Sequence, residues 1–497
     1  MFIKPHRKHL EKAEKSENAR NFVSLLRNTF LMGGTQIVHI LMTLIKGKIV
    51  ALFVGLAGTG LSSIYWTATS WIQQLASAGL PLAAVKDIAK EHEKEKRDFL
   101  ISLIKRFFSV AALCGAVICL LLSPILSFIS FADYGHTLDF VYLSLLVWFA
   151  VKGAGELTLL QGLNQVKPLY RASIVGSVTG VLTGLPFYWL LGMKGIVWAL
   201  IIASAATFLS LKFYTSRVVK VRISPFRTAW DNRGVISGTL KSGIVLFIGG
   251  IMTAVSNFIV ISFVRGIGGI DDVGSYQSAY NIIWQISAVV FAAMSVDYYP
   301  RLSRSEAEDM NTLVENQIFI GVGLTVPIMC LVMAFSEIAV KILLTDEFLL
   351  ILPVLKWFSF AMVIKAVSYP LGYIALAKAN RRLYFKLEVV ALNVLNLTGL
   401  VAGFYFGGLI GLGIALSLIY SIDILIYVTV CRRLFGLKIG WKLPAFVMAG
   451  LLYTGLMLAV SLAEPENTGK TAPYIVAALS LIFPAILMKI RREEGKL

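Results

Sequence analysis

Charge is scarce in this chain, and acid is scarcest. Only 15% of its 497 residues are charged, against roughly 25% in a typical soluble protein, and 28 Asp and Glu stand against 46 Lys and Arg. That deficit excludes a large solvated globular surface. Cysteine is rare too. Cys114, Cys119, Cys330 and Cys431 lie in or at the ends of apolar runs, without metal spacing or a disulfide framework, so packing is their expected role. The five histidines are scattered, four of them (His6, His9, His92 and His136) in tails or loops. No HExxH, zinc cluster or nucleophile elbow occurs. ENTGKT at Glu466–Thr471 echoes the end of a P-loop, but position 464 is Glu where that loop needs Gly. The chain is therefore expected not to be an enzyme and to carry no resident cofactor or metal. No cleavable signal is expected either. Residues 1–29 are polar and basic, with no apolar core before the first long run, and are expected to form a cytoplasmic tail or a surface-lying amphipathic helix.

What is present is apolar: 57% of residues are hydrophobic and the mean hydropathy is +0.77. Fourteen stretches are each about 20 residues long, enough to cross a bilayer: 30–54, 60–82, 107–131 (interrupted by Pro124), 138–161, 169–192, 194–216, 239–265, 273–299, 316–343, 352–377, 383–406, 408–431, 443–463 and 472–489. Fourteen spans leave little chain for a soluble domain. The net charge of +18 does not mark a nucleic-acid binder, because the basic residues sit in short segments between spans. Nearly all follow even-numbered spans or precede the first, as in KDIAKEHEKEKRD, Lys212–Lys241, KANRRLYFK and CRRLFGLKIGWK. Basic loops stay in the cytoplasm, so both termini are expected inside.

The expected fold is all-α and polytopic, with two related halves. Gly60 opens the second span and Gly274 the eighth; Pro81 and Pro300 close them; Gly176, Gly180 and Gly184 on the fifth span echo Gly399, Gly403, Gly407 and Gly411 on and after the eleventh. Such glycine faces admit close helix approach. The division is residues 1–29, a basic N-terminal segment; 30–217, the first six-helix bundle; 218–238, a cytoplasmic connector; 239–431, the second bundle; and 432–497, two further helices and a tail. Parallel repeats imply an axis along the membrane normal and a V-shaped central cavity. The glycine-faced fifth and eleventh spans are expected to let the halves slide.

Candidate site residues are polar groups inside spans. A cation there costs about 2.5–3.5 kcal/mol on insertion scales and so turns to a watery or protein interior. Lys46, Lys48, Lys152 and Lys365 are such cations. Gln36, His39, Thr43 and Lys46 share one helical face, whereas Lys48 points away from Lys46 and can snorkel. Lys152 and Glu156, four apart, are placed to pair. Lys365 has no acid within one turn. Gln277, Asn281 and Gln285 form an amide row suited to sugar hydroxyls or interhelical bonds. Glu156, Asp297 and Asp423 are candidates for Na⁺ or H⁺ coupling or for structural ion pairs. Substrate contact is thus expected at Lys46, Lys48, Lys152, Lys365, His39, Asn281 and Gln285.

The segments KIVALFVGLAGTGLSSIYW, VGSYQSAY, YYPRLSR and ALAKANRRLYFKLEVV resemble the polysaccharide transport family of the MOP (multidrug/oligosaccharidyl-lipid/polysaccharide) exporter superfamily, over about Arg27 to Arg433. The resemblance implies a flippase of the bacterial cytoplasmic membrane that moves a polyprenyl-pyrophosphate-linked oligosaccharide, of O-antigen or related type, to the outer leaflet, with the bilayer, the lipid-linked sugar and other polysaccharide assembly proteins as partners. The alternative within the superfamily is a multidrug or metabolite antiporter. Membrane potential or Na⁺/H⁺ coupling would drive either.

Overall fold

The computed structural model describes residues 4–378, 381–463 and 471–485, and contains helices without strands among them. Lipid offers the backbone no hydrogen-bond partner, so apolar runs of this length satisfy their amides as helices. Among the described residues, nine helical segments are long and apolar enough to span a membrane. Three of them double back at a glycine of positive φ, so they hold two spans each. Lys4–Ser77 turns at Gly55 into α1 (4–54) and α2 (56–77). Then come α3 (Lys94–Phe131), α4 (Thr137–Gly162), α5 (Val166–Leu191) and, past the turn at Gly192, α6 (Ile196–Val218). The second set is α7 (Arg233–Gly268), α8 (Ile270–Arg304), α9 (Ala307–Ala334) and α10 (Leu352–Lys378). The element Leu392–Phe435 turns at Gly408 into α11 (392–407) and α12 (409–435). Last are α13 (Lys442–Ala463) and α14 (Ala472–Ser480). Twelve of the fourteen expected spans fall on the nine segments, the eighth lies in α8, and the last, expected over 472–489, extends outside the described residues.

The turn glycines repeat. Gly55 and Gly269 (φ 65° and 90°) stand between the first two helices of each set, and Gly192 and Gly408 (φ 55° and 57°) between the last two. Each pair is separated by nearly the same stretch of sequence. Only glycine takes this left-handed conformation without strain, so the reversal is written into four positions.

Three expectations need correction. Pro124 does not interrupt its span; α3 runs unbroken from Lys94 to Phe131. The ninth span ends at Ala334, and Ser336–Leu343 is a separate short helix. The glycine ladders do not form a sliding seam between the sets. Gly176, Gly180 and Gly184 face Thr207, Ala203 and Ala199 of α6, and Gly399 and Gly403 face Ile419, Ala415 and Gly411 of the adjoining α12. Each ladder packs the two helices of its own hairpin together, where a short turn limits sliding. A Cβ at Gly403 would sit 2.6 Å from the Gly411 carbonyl oxygen and 2.4 Å from the Ala415 Cβ, whereas one at Gly407 would meet nothing within 4 Å. Gly403→Ala is therefore expected to lower stability by at least the ~1–3 kcal/mol of ordinary overpacking, and Gly407→Ala to leave it unchanged, as read by thermal unfolding in detergent.

The two sets meet where α2 crosses α8. Added Cβ atoms at Gly60 and Gly274 would each lie 2.2 Å from a backbone oxygen of the other helix, that of Ile270 and that of Leu56. This crossing is on the side opposite the basic loops, called here the far side. α13 and α14 pack on α9, and α13 also on α10, which leaves α10 enclosed over most of its length.

Candidate functional site

α10 is apolar and buried on nearly every face, yet it carries Lys365 near its middle. The ammonium is not unpaired, as spacing along one helix suggests. It lies 3.9 Å from Asp423 Oδ2 on α12 and 4.6 Å from the ring centre of Tyr420, one turn away from Asp423. The acid comes from a different span, which no i,i+4 rule can reveal. Asp423 is buried, and its Oδ1 has no hydrogen-bond partner among the described residues.

A second acid, Glu388, completes this cluster. It sits in a π-helical turn, Phe385–Ala391, that leads into α11. Its Oε1 accepts a 2.5 Å hydrogen bond from Tyr427 of α12, and it interacts electrostatically with Lys365 and Asp423. The extra residue of a π-turn weakens the regular helix ladder. Asn393 compensates: its Nδ2 donates to the carbonyls of Glu388 and Val389 at 3.0 and 3.1 Å, while its Oδ1 accepts from Thr253 of α7. Gly372 on α10 leaves room for the tyrosine, since a Cβ there would stand 3.1 Å from Tyr427 Oη. Glu388, Tyr420 and Tyr427 were absent from the candidates. Glu388 had a visible signal, being an acid within the 383–406 stretch; the tyrosines had none.

The far-side half of α8 faces α10 with rings. Tyr276 and Tyr280 both meet Phe358 edge-on, and Tyr280 stacks on Trp284 at 6.1 Å. Asn281 is exposed and Gln285 half-buried, and neither makes a hydrogen bond to a described residue.

In the first set, the Lys46 ammonium lies 6.0 Å from the Trp66 ring centre and makes no ion pair with a described residue. The side chains of Gln36, His39 and Asp297 lie outside the described residues. Lys48 is engaged elsewhere: its ammonium donates to the carbonyls of Lys341 (3.0 Å) and Leu344, at the C-terminal end of the short helix Ser336–Leu343, where a cation meets the negative end of the helix dipole. Lys152 does not close the expected pair with Glu156. It donates to Ser109 Oγ on α3 at 2.8 Å. The four lysines therefore occupy different surroundings. Among described residues no group of three or more His, Cys, Asp or Glu is placed to hold a metal.

Lys48 belongs to a far-side latch between the sets. The Leu56 amide at the α1–α2 turn donates to Glu347 Oε1 at 3.3 Å, Gly60 and Gly274 touch, and Arg265 of α7 lies over the Phe131 ring of α3 at 5.5 Å. Glu347→Gln with Lys48→Met is expected to loosen this closure. A cysteine at Ser63, one turn below the crossing, in a chain with its four native cysteines replaced, should then react severalfold faster with an impermeant maleimide added on the far side.

Residues 25–306, more than half of the chain, match the family model described as "Polysaccharide biosynthesis protein". The chain is similar to the "Lipid III flippase" of Escherichia coli (strain K12) and that of Shigella flexneri, each 24% identical over 380 residues, which is 75% of this chain and 90% of the relative. Its fold is similar to that of a "Lipid II flippase MurJ, inward closed conformation" (TM-score 0.72, 14% identity, 94% of this chain and 99% of that one) and to an inward-facing multidrug resistance MATE family transporter of the MOP superfamily (TM-score 0.60, 14% identity, 87% and 96%).

Proposed function

Because the chain belongs to the polysaccharide biosynthesis protein family and, by fold, to the MOP exporter superfamily, we propose that it is a flippase moving a polyprenyl-pyrophosphate-linked oligosaccharide from the cytoplasmic to the outer leaflet for cell-surface polysaccharide assembly. The observation that carries this reading is Lys46: a cation inside a span, over a tryptophan face and without a carboxylate partner among described residues. Membrane interiors tolerate such a group where it meets water or an anion. The reading is also supported by the lipid III flippase relatives.

In this mechanism the basic loops lie in the cytoplasm with both termini, and the cavity between the sets opens first to that side while the latch holds the far side shut. Lys46 draws in the pyrophosphate and the prenyl tail stays in lipid. At Lys365 the incoming phosphate competes with Asp423 for the ammonium; the 3.9 Å separation leaves that pair loose enough to exchange. Asn281 and Gln285, beside the Tyr280–Trp284 rings, serve the sugar hydroxyls and faces. Rocking of the sets then breaks the latch and exposes the head outside. Outward transfer of a negative head from a negative interior gains about 2.3 kcal/mol per charge per 100 mV, hence about 4.6 kcal/mol for roughly two charges, so ion antiport is not required.

A cation antiporter is the second reading, favoured by Glu388 and Asp423 lying in one cluster. Proteoliposomes separate the two. The flippase reading expects a labelled polyprenyl-pyrophosphate sugar to become accessible on the opposite leaflet and a cationic dye to stay put; dye movement without sugar movement overturns it.

A further inference from the structure

Lys152 stands in a cluster that the translocation mechanism does not use. On α4 it continues a stripe of alternating four- and three-residue steps, Leu138, Tyr142, Leu145, Phe149, Lys152 and Glu156. The first three side chains are exposed, and an exposed apolar stripe on a membrane helix is its lipid face. The neighbouring helices do the same. On α3 the exposed Val117, Leu113 and Val110 lead to Arg106, and on α6 the exposed Trp198 and Leu209 lead to Lys212. Toward the basic-loop side each of these three neighbouring helices carries a cation beyond its exposed apolar residues, on α4 past the inward-packed Phe149 and one turn before Glu156, and Lys105 stands beside them on α3.

The four cations are held by neutral groups. Lys105 Nζ donates to the Val221 carbonyl at 2.9 Å, Arg106 Nε to the Ser224 carbonyl at 2.6 Å, and Lys152 Nζ to Ser109 Oγ. Lys212 Nζ lies 5.7 Å from the Phe208 ring centre. None makes an ion pair with a described residue. Lys152 feels the repulsion of Lys212, Arg106 and Lys105 and the attraction of Glu156. The connector at 219–225 is drawn over the cluster through Lys105 and Arg106, so the positive charge is gathered at one depth rather than dispersed into solvent.

Four cations against one carboxylate, at the lipid boundary and at the end of apolar stripes, complement a phosphate carried on acyl chains. We propose that this niche binds the headgroup of an anionic phospholipid of the cytoplasmic leaflet, with the acyl chains lying along the α3, α4 and α6 stripes. Basic pockets between membrane helices on this side are a recognised setting for such lipids. The bound lipid would neutralise the niche and tie α3, α4 and α6 to the connector, independently of what the protein translocates.

Native mass spectrometry of the full chain in detergent tests this, with phosphatidylglycerol and phosphatidylcholine of identical acyl chains as probes. The wild type is expected to retain phosphatidylglycerol in preference. Lys105→Gln, Lys152→Gln and Lys212→Gln combined should weaken that binding roughly a hundredfold, which is about 3 kcal/mol at 1.4 kcal/mol per tenfold. The matching triple change to Arg should keep it, which separates charge from misfolding. Equal retention of both lipids, or undiminished phosphatidylglycerol binding by the Gln variant, overturns the proposal. So does displacement by an equal concentration of inorganic phosphate, which would mark a soluble-anion site, or tighter binding of polyprenyl pyrophosphate, which would mark a substrate site. None of these outcomes alters whether the protein flips a lipid-linked sugar.

Discussion

Lys365→Ala is expected to abolish transport of the lipid-linked sugar and to destabilise the protein, and the two losses should separate in a double variant. Asp423 is 7% exposed in its side chain, and its nearest cation is Lys365, itself 22% exposed. Removing one partner of a buried pair leaves an uncompensated charge, at a cost of about 3–5 kcal/mol. Lys365→Ala alone should therefore show a clearly lowered unfolding temperature. Combining it with Asp423→Ala removes both charges of the pair, and most of the lost stability should return, because a buried pair replaced as a unit is often nearly neutral, with Glu388 left as the one acid of the cluster. Translocation should stay lost, since the ammonium that exchanges its carboxylate for the substrate phosphate is gone. Full transport by the double variant would reduce Lys365 to a structural ion-pair partner.

Gly274→Val is expected to hold the far side open. A Cβ at this position meets the Leu56 carbonyl oxygen at 2.2 Å, and backbone cannot swing aside as a side chain can. Overpacking of about 1–3 kcal/mol falls only on the state in which α2 and α8 cross, so it shifts the population between states by roughly 5- to 150-fold. The Ser63→Cys reporter should label faster from the far side by a factor in that range, and net translocation should fall because the cycle no longer returns. Unchanged labelling would mean that the crossing does not move. Within one hairpin, Gly403→Ala meets a similar close approach but changes stability alone, because α11 and α12 stay together throughout.

The architecture was legible because it is local. Apolar length marks each span, whereas the turn glycines Gly55, Gly192, Gly269 and Gly408 stand out only through their positive φ in the folded chain. The charges were legible as residues but not as partners. Lys365 and Asp423 stand on separate spans, so no helical period relates them. Lys48 is held by carbonyls of Lys341 and Leu344, groups that every residue has. Glu388 reaches Tyr427 from a π-turn whose shifted register a 3.6-residue period does not anticipate. Lys152 reads from its neighbours along α4 as half of an ion pair with Glu156, yet it donates to Ser109 of α3 instead. A charge inside a span announces that it has a partner; which one is decided by helix packing that the periodicity of a single span does not contain.

The central claim is that intramembrane ammonium groups recognise the anionic linkage of the cargo. It is tested most directly by comparing, in liposomes bearing the wild-type protein or its Lys46→Gln/Lys365→Gln variant, the flipping of a polyprenyl-pyrophosphate-linked sugar with that of the same sugar joined to the same prenol by an uncharged bond. The wild type should move the pyrophosphate form and leave the neutral one behind, and the variant should move neither. Equal flipping of the neutral lipid by the wild type, or normal flipping of the pyrophosphate form by the variant, would contradict it.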